Sequence, residues 1–160
     1  MSDNEQSLEA KELFVEDIIK RIWQNSHFYG DRLSDCIRLR DLDENFPALF
    51  MFFEISENIF RSIMDDYHSP LYKIFRRLYD ENKISLDEYT FLNGTVEENK
   101  ERAFDCCYRV IRNKYMHDDL DAMALEINGV MHMFSEKDTA GILYDILFEK
   151  VLRIIHRLIS

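Results

Sequence analysis

The sequence predicts an all-α protein: an antiparallel helical bundle with four long helices, one or two short ones, and a small β-hairpin before the last helix. Three observations lead to this prediction. The 160 residues include only four glycines and two prolines, which favours helices. Apolar residues recur at steps of three and four through most of the chain. The pattern changes to a period of two around an Asn-Gly pair late in the chain.

The composition limits the class of protein. With 46% apolar and 32% charged residues, the length suits a single folded domain over residues 1–160. The formal net charge is −11, so any contact with nucleic acid should be confined to a local cleft. The cysteines Cys36, Cys106 and Cys107 have no CxxC spacing, which indicates a reducing compartment and buried apolar roles. No apolar leader or long apolar run is present, so a soluble, cytoplasmic protein without membrane contact is expected.

The first half of the chain predicts three helices. The first spans Leu8 to Trp23, and Gly30 to Asn45 is predicted to be a polar connection with one short turn at most. The second, the most apolar, begins near Phe46-Pro47 with Asn45 as its cap and runs to about Tyr67. Its narrow polar stripe is formed by Glu54, Asn58 and Arg61. The third helix, Leu71 to Asn82, follows Ser69-Pro70.

The second half contains two helix starts with the Ser/Thr-x-x-Glu signature of a capping box. Ser85 opens a short helix that stops at Asn93-Gly94, and Thr95 opens a long one that ends near His117. Ala124–Ile127 and Val130–Met133 then alternate around Asn128-Gly129, which predicts a β-hairpin with a type I′ turn. The last helix runs to about Leu158, with Ser135 as a candidate cap.

The end of the long helix carries the candidate functional residues. Phe104, Cys107, Tyr108, Ile111 and Tyr115 share one apolar stripe, which predicts a core face. Arg112, Asn113 and His117 lie off that stripe, and Asp118, Asp119 and Asp121 follow. An arginine, an amide and an imidazole at a helix end can bind and rearrange a phosphodiester, but they are also typical of a solvated helix terminus.

The order of elements and the segment Arg112-Asn113-Lys114-Tyr115-Met116-His117 resemble the HEPN superfamily, whose members are helical bundles with an Arg-x(4–6)-His motif late in the fold. The resemblance covers the architecture from Phe46 to Leu158. The chain holds two more copies of the spacing, Arg21 to His27 and Arg61 to His68. Only the copy at Arg112 has the following Asn and the position at the end of a late helix. Asp119 stands where some members carry a tyrosine that an antitoxin modifies.

The resemblance implies a metal-independent endoribonuclease. In such an enzyme His117 would serve as base or acid, Arg112 would bind the phosphate, and Asn113 would orient the reacting groups. Asp118, Asp119 and Arg109 would support the site, with an aspartate orienting His117 or raising its pKa. A metal site is not expected, because no second histidine lies at helical spacing, and no cofactor is expected.

Further cations surround the motif in the sequence. The motif is preceded or interrupted by Lys100, Arg102, Arg109 and Lys114, and the third helix contains Lys73, Arg76 and Arg77. They could form a basic cleft or a solvated face, and for the three residues of the third helix the solvated face is favoured.

Two requirements favour a homodimer with both motifs at its axis. A five-residue step turns about 140° on a helix, so Arg112 and His117 of one chain do not share a face. Cleavage also needs an acid as well as a base, and one motif offers a single histidine. The expected partners are a second copy, single-stranded or structured RNA, and an antitoxin or regulatory protein, but not DNA. The alternative is a non-catalytic subunit of the same fold that binds a protein or a nucleotide.

Overall fold

The computed structural model describes residues 14–94, 107–117, 120 and 123–160, with the backbone alone at position 117. These ranges contain seven helices and one two-stranded sheet. The elements are α1 Val15–Asn25, α2 His27–Asp41, α3 Asn45–Met64, α4 Leu71–Asp80, α5 Leu86–Asn93, α6 Tyr108–His117, β1 Ala124–Ile127, β2 Val130–Met133 and α7 Lys137–Ile159. The predicted fold class, an α-bundle with a hairpin before the last helix, is confirmed.

Helix α3 is the centre of the bundle. It packs against α2, α4 and α7, and its buried side chains occupy more than one face. Phe52, Phe53 and Phe60 are fully buried and contact the ring of Tyr108 in edge-on geometry. The broad apolar surface of α3 is therefore buried within a single copy of the chain.

The prediction of a connection from Gly30 to Asn45 is wrong, because most of that segment lies in α2. Ser26 begins the helix: its hydroxyl accepts a hydrogen bond from the amide of Tyr29. Leu33 and Cys36 are fully buried, so a narrow apolar stripe was enough to hold a polar helix against the bundle. Gly30 allows the close approach, since a Cβ there would lie 2.4 Å from that of Trp23.

Three boundaries of the helices α3 and α4 differ from the prediction. Asn45 is the first residue of α3 rather than its cap, and its amide instead donates to Asp43 and to the carbonyl of Lys137. The helix ends at Met64, three residues earlier than predicted, because Asp65 adopts a left-handed conformation at φ 49°. Likewise α4 ends at Asp80 and not at Asn82, where φ is 58°.

The local turn signals were more reliable. The capping box at Ser85 is present in both directions, with Glu88 as its second member. The hairpin is confirmed with its predicted bounds, and Asn128 and Gly129 have φ of 52° and 81°, as a type I′ turn requires. The predicted cap of the last helix is wrong, since Glu136 precedes α7 there without a side-chain hydrogen bond. The predicted starts at Leu8 and Thr95 lie outside the described residues, but neither helix is continuous as predicted. Helix α1 begins at Val15 after an extended Phe14, and α6 begins at Tyr108 after the non-helical Cys107.

Candidate functional site

The apolar stripe of α6 holds this helix in the core. Tyr108 and Ile111 are fully buried, and Cys107 and Tyr115 nearly so, as predicted. Burial raises the pKa of the Tyr108 hydroxyl, which lies 2.6 Å from the hydroxyl of Ser56 on α3. This buried pair fixes the position of α6 along α3. It therefore also determines the level along α3 at which the next turn of α6 packs.

The far end of α6 is held by aromatic rings. Tyr115 packs edge-on against Phe134, at 5.2 Å between ring centres, and against Phe50 of α3 at 5.9 Å. Phe134 closes the base of the hairpin, where its amide donates to the carbonyl of Met123. The end of α6, the hairpin and α3 are therefore packed together next to the motif.

The guanidinium of Arg112 is held by two side chains. One Nη donates to the carboxylate of Glu57 at 2.6 Å, and the other donates to the amide oxygen of Asn113 at 2.9 Å. The Nε atom is buried and has no hydrogen-bond partner within the described ranges. The side chain of Arg112 is only 21% exposed, so it is not part of a fully solvated helix terminus, which was one of the two interpretations of the sequence.

Glu57 is a residue that the sequence analysis missed. Its other carboxylate oxygen accepts two hydrogen bonds from Arg61, from Nε and Nη2, each at 3.1 Å. The sequence pattern predicts Arg61 on a stripe with Glu54, but Glu54 is exposed and the partner of Arg61 is Glu57, one turn away. The sequence signal that could have identified this pair is a Glu and an Arg four residues apart in an otherwise apolar helix.

Arg109, predicted to support the site, lies one turn before Arg112 on α6. Its Nε donates to the carbonyl of Asn93 at 3.1 Å, which ties α6 to the end of α5. Arg61 and Arg112 bring two guanidinium groups to one carboxylate, that of Glu57, and the three side chains form a charged cluster. The cluster is cationic although the chain as a whole carries a net charge of −11.

Several predicted residues lie outside this description. The structure gives the backbone of His117 at the end of α6 but not its side chain, and it does not describe Asp118, Asp119 or Asp121. Lys100, Arg102, Phe104 and Cys106 fall in the undescribed range 95–106. Arg112, Asn113 and Arg109 are therefore the predicted site residues whose side-chain geometry is known.

The cations of α4 lie on a solvated face, as the favoured alternative predicts. Lys73, Arg76 and Arg77 are all exposed. Arg76 pairs with Asp80 at 3.4 Å within the helix, and Arg77 pairs with Asp66 at 3.2 Å.

Cys36 and Cys107 are buried, as predicted. Burial is the main cause that raises the pKa of the Cys36 thiol to about 12, which keeps it protonated and unreactive at neutral pH.

Among the described residues, no helix is both long and apolar enough to cross a membrane. In the same ranges, no three His, Cys, Asp or Glu side chains are grouped so that they could hold a metal ion. Comparison with protein-family models, with curated proteins and with solved structures finds no match for this chain.

Proposed function

We propose that this protein is a metal-independent endoribonuclease of the HEPN type. The observation that carries the proposal is the arrangement around Arg112: its guanidinium is held by Glu57 and Asn113, five residues before His117 on the same helix. A planar guanidinium with a fixed orientation is well suited to bind two oxygens of a phosphodiester. The histidine at the helix end has a side chain able to exchange protons near neutral pH.

The reaction needs no cofactor, because RNA supplies its own nucleophile. His117 of one protomer, acting as base, removes the proton of the ribose 2′-OH, and the 2′ oxygen attacks the neighbouring phosphorus. The bond from phosphorus to the 5′ oxygen breaks, and this oxygen receives a proton from the acid, for which a second His117 from the partner copy is available. Arg112 stabilises the charge that builds up on the phosphoryl oxygens. The products are a 2′,3′-cyclic phosphate and a 5′-OH.

The test is cleavage of single-stranded RNA in the presence of EDTA. The wild-type protein should cleave, and His117→Ala and Arg112→Ala should each reduce the rate by at least about 100-fold, as removal of an acid–base or charge-stabilising group does. A 2′-O-methyl group at the cut site should block the reaction. RNA left intact by the wild-type protein at high concentration, or cleavage by the alanine variants at the wild-type rate, would refute the proposal.

The controls follow from the other copies of the motif spacing. His27 stacks on Trp23 at 3.8 Å and His68 is exposed, so His27→Ala and His68→Ala should retain activity. Arg77→Ala is the matched control for Arg112→Ala, since it also breaks an arginine–carboxylate pair but lies on α4. Removal of Arg112 is expected to lower the free energy of unfolding by about 1–3 kcal/mol, because its pair is largely buried. Activity is therefore compared at a temperature where each variant is folded by circular dichroism.

The second candidate function is a non-catalytic subunit that binds a protein or a nucleotide. It is favoured by the same contacts, because an arginine that is 21% exposed and already paired with Glu57 can be a purely structural group. This candidate predicts that a nucleotide or a protein partner binds, as measured by calorimetry, while RNA is not cleaved. An antitoxin or regulatory protein would then be the partner to seek by co-purification.

A further inference from the structure

The feature that carries a further inference is a chain of three charged side chains between α3 and α6. The carboxylate of Glu57 lies between Arg61, which contacts one oxygen, and Arg112, which contacts the other at 2.6 Å. The side chains of the three residues are 14–21% exposed. Charged groups with this little contact with water interact more strongly than those at an open surface.

Arg61 fixes Glu57 from the side away from Arg112. Besides its two bonds to Glu57, Arg61 donates to the carbonyl of Ser69 at 2.7 Å. The loop that carries this carbonyl is itself held, because a carboxylate oxygen of Asp66 accepts from the amides of His68 and Ser69. Glu57 is thus anchored through one oxygen, and its second oxygen is left facing Arg112.

Within the described residues, the contacts of Arg112 leave part of its guanidinium without an acceptor. An arginine has five N–H groups. One donates to Glu57, one donates to Asn113, and the Nε is buried. Among the described residues nothing accepts the second hydrogen of either Nη. A guanidinium with donors left on both Nη atoms can bind oxygens of a phosphodiester.

We infer that Glu57 is a positioning residue that holds Arg112 in the orientation needed to bind the scissile phosphate, with Arg61 as its anchor. The inference rests on the proposed function. Glu57 does not touch the reacting atoms and acts through Arg112. A competing role, in which Glu57 blocks Arg112 and must swing away before RNA binds, is opposed by its two bonds to Arg61.

The test compares Glu57→Gln with the wild-type protein in RNA cleavage, measuring kcat and KM separately. Glutamine keeps the shape but removes the charge, so Arg112 loses its fixed orientation while the helix packing is retained. We expect kcat to fall about 10- to 100-fold, the usual loss when an orienting partner is removed. KM should change less than about threefold, because the interaction is made mainly in the transition state. Glu54→Gln, on the same helix but exposed, is the matched control and should keep both constants.

A second variant separates positioning from stability. Glu57→Ala leaves a space beside Arg112, so added formate should restore part of its kcat, whereas a purely structural loss would not respond. Activity of Glu57→Gln equal to or above that of the wild type overturns the inference, and so does activity of Glu57→Ala that falls only in step with the folded fraction.

The two failures can be told apart. A wild-type protein without cleavage activity refutes the proposed function together with this inference. An active wild type with unaffected Glu57 variants refutes the inference alone.

Discussion

At the scale of single residues, the charged groups of α3 and α6 are matched across the helix interface. Glu57 accepts hydrogen bonds from two arginines, and Asn113 accepts a second hydrogen bond from Arg112. Removing one member of such a set leaves a largely buried charge without its partner, which costs more than losing a surface pair. The contacts that orient Arg112 thus also contribute to the stability of the fold. The activity of a variant at this site therefore has to be compared together with its free energy of unfolding.

Asp66 gives a prediction on pH. Hydrogen bonds from the side chain and backbone of Ser69 and from the backbone of His68 hold the pKa of Asp66 well below its ordinary value of 3.8, with Arg77 adding to the effect. Because the folded-state pKa is lowered, this carboxylate stabilises the protein above pH 3.8, and the stabilisation is lost as the pH falls further. The difference in Tm between the wild type and Asp66→Asn should therefore be constant from pH 7 to about 5 and shrink below pH 3.8.

The measurement is thermal unfolding by circular dichroism across that pH range. Asp65→Asn is the control, since Asp65 is exposed and asparagine tolerates its left-handed conformation. A difference for Asp66→Asn that does not change with pH would contradict the prediction.

At the scale of elements, the comparison of α2 with the hairpin shows which signals act locally. Helix α2 has a weak apolar periodicity, and its stability comes from the contacts of a few buried residues with α1 and α3. The hairpin, in contrast, is specified by its two-residue turn, because Asn and Gly both accept positive φ. The placement of the hairpin against α6 depends on the packing of Phe134 against Tyr115.

The turn of the hairpin gives a prediction on stability. Gly129 has φ of 81°, and a Cβ there would meet nothing within 4 Å. Gly129→Ala should therefore destabilise only through backbone strain, by about 1 kcal/mol, as measured by urea unfolding. Asn128→Gly is the control and should change the free energy of unfolding by less, since glycine adopts the same positive φ at residue 128. Equal stabilities of Gly129→Ala and the wild type would argue against a strained turn at this position.

At the scale of the whole molecule, the proposed chemistry requires two copies. One motif offers a single histidine, whereas strand cleavage needs both a base and an acid. Static light scattering at micromolar concentration should therefore give about twice the chain mass of 19.3 kDa. The His117→Ala and Arg112→Ala variants should keep this mass, so that their loss of activity is not a loss of assembly. A monomeric and fully active wild type would contradict the two-copy site.

The sequence by itself determined the fold class, the course of the central helix α3, the capping box at Ser85 and the hairpin turn. Each of these depends on residues within a few positions of one another, so helical spacing, capping and turn chemistry were enough to predict them. Arg112 and Asn113 were singled out in the same way, as polar residues off an apolar stripe.

Only the tertiary structure decided what those residues contact. Glu57 and Arg112 are 55 positions apart and meet because α3 and α6 pack side by side around the buried pair of Ser56 and Tyr108. Local spacing holds no information about which faces of two distant helices meet, since that depends on how all the apolar stripes are buried together. The partner of Arg112, its partial burial and the helical state of α2 all follow from that packing.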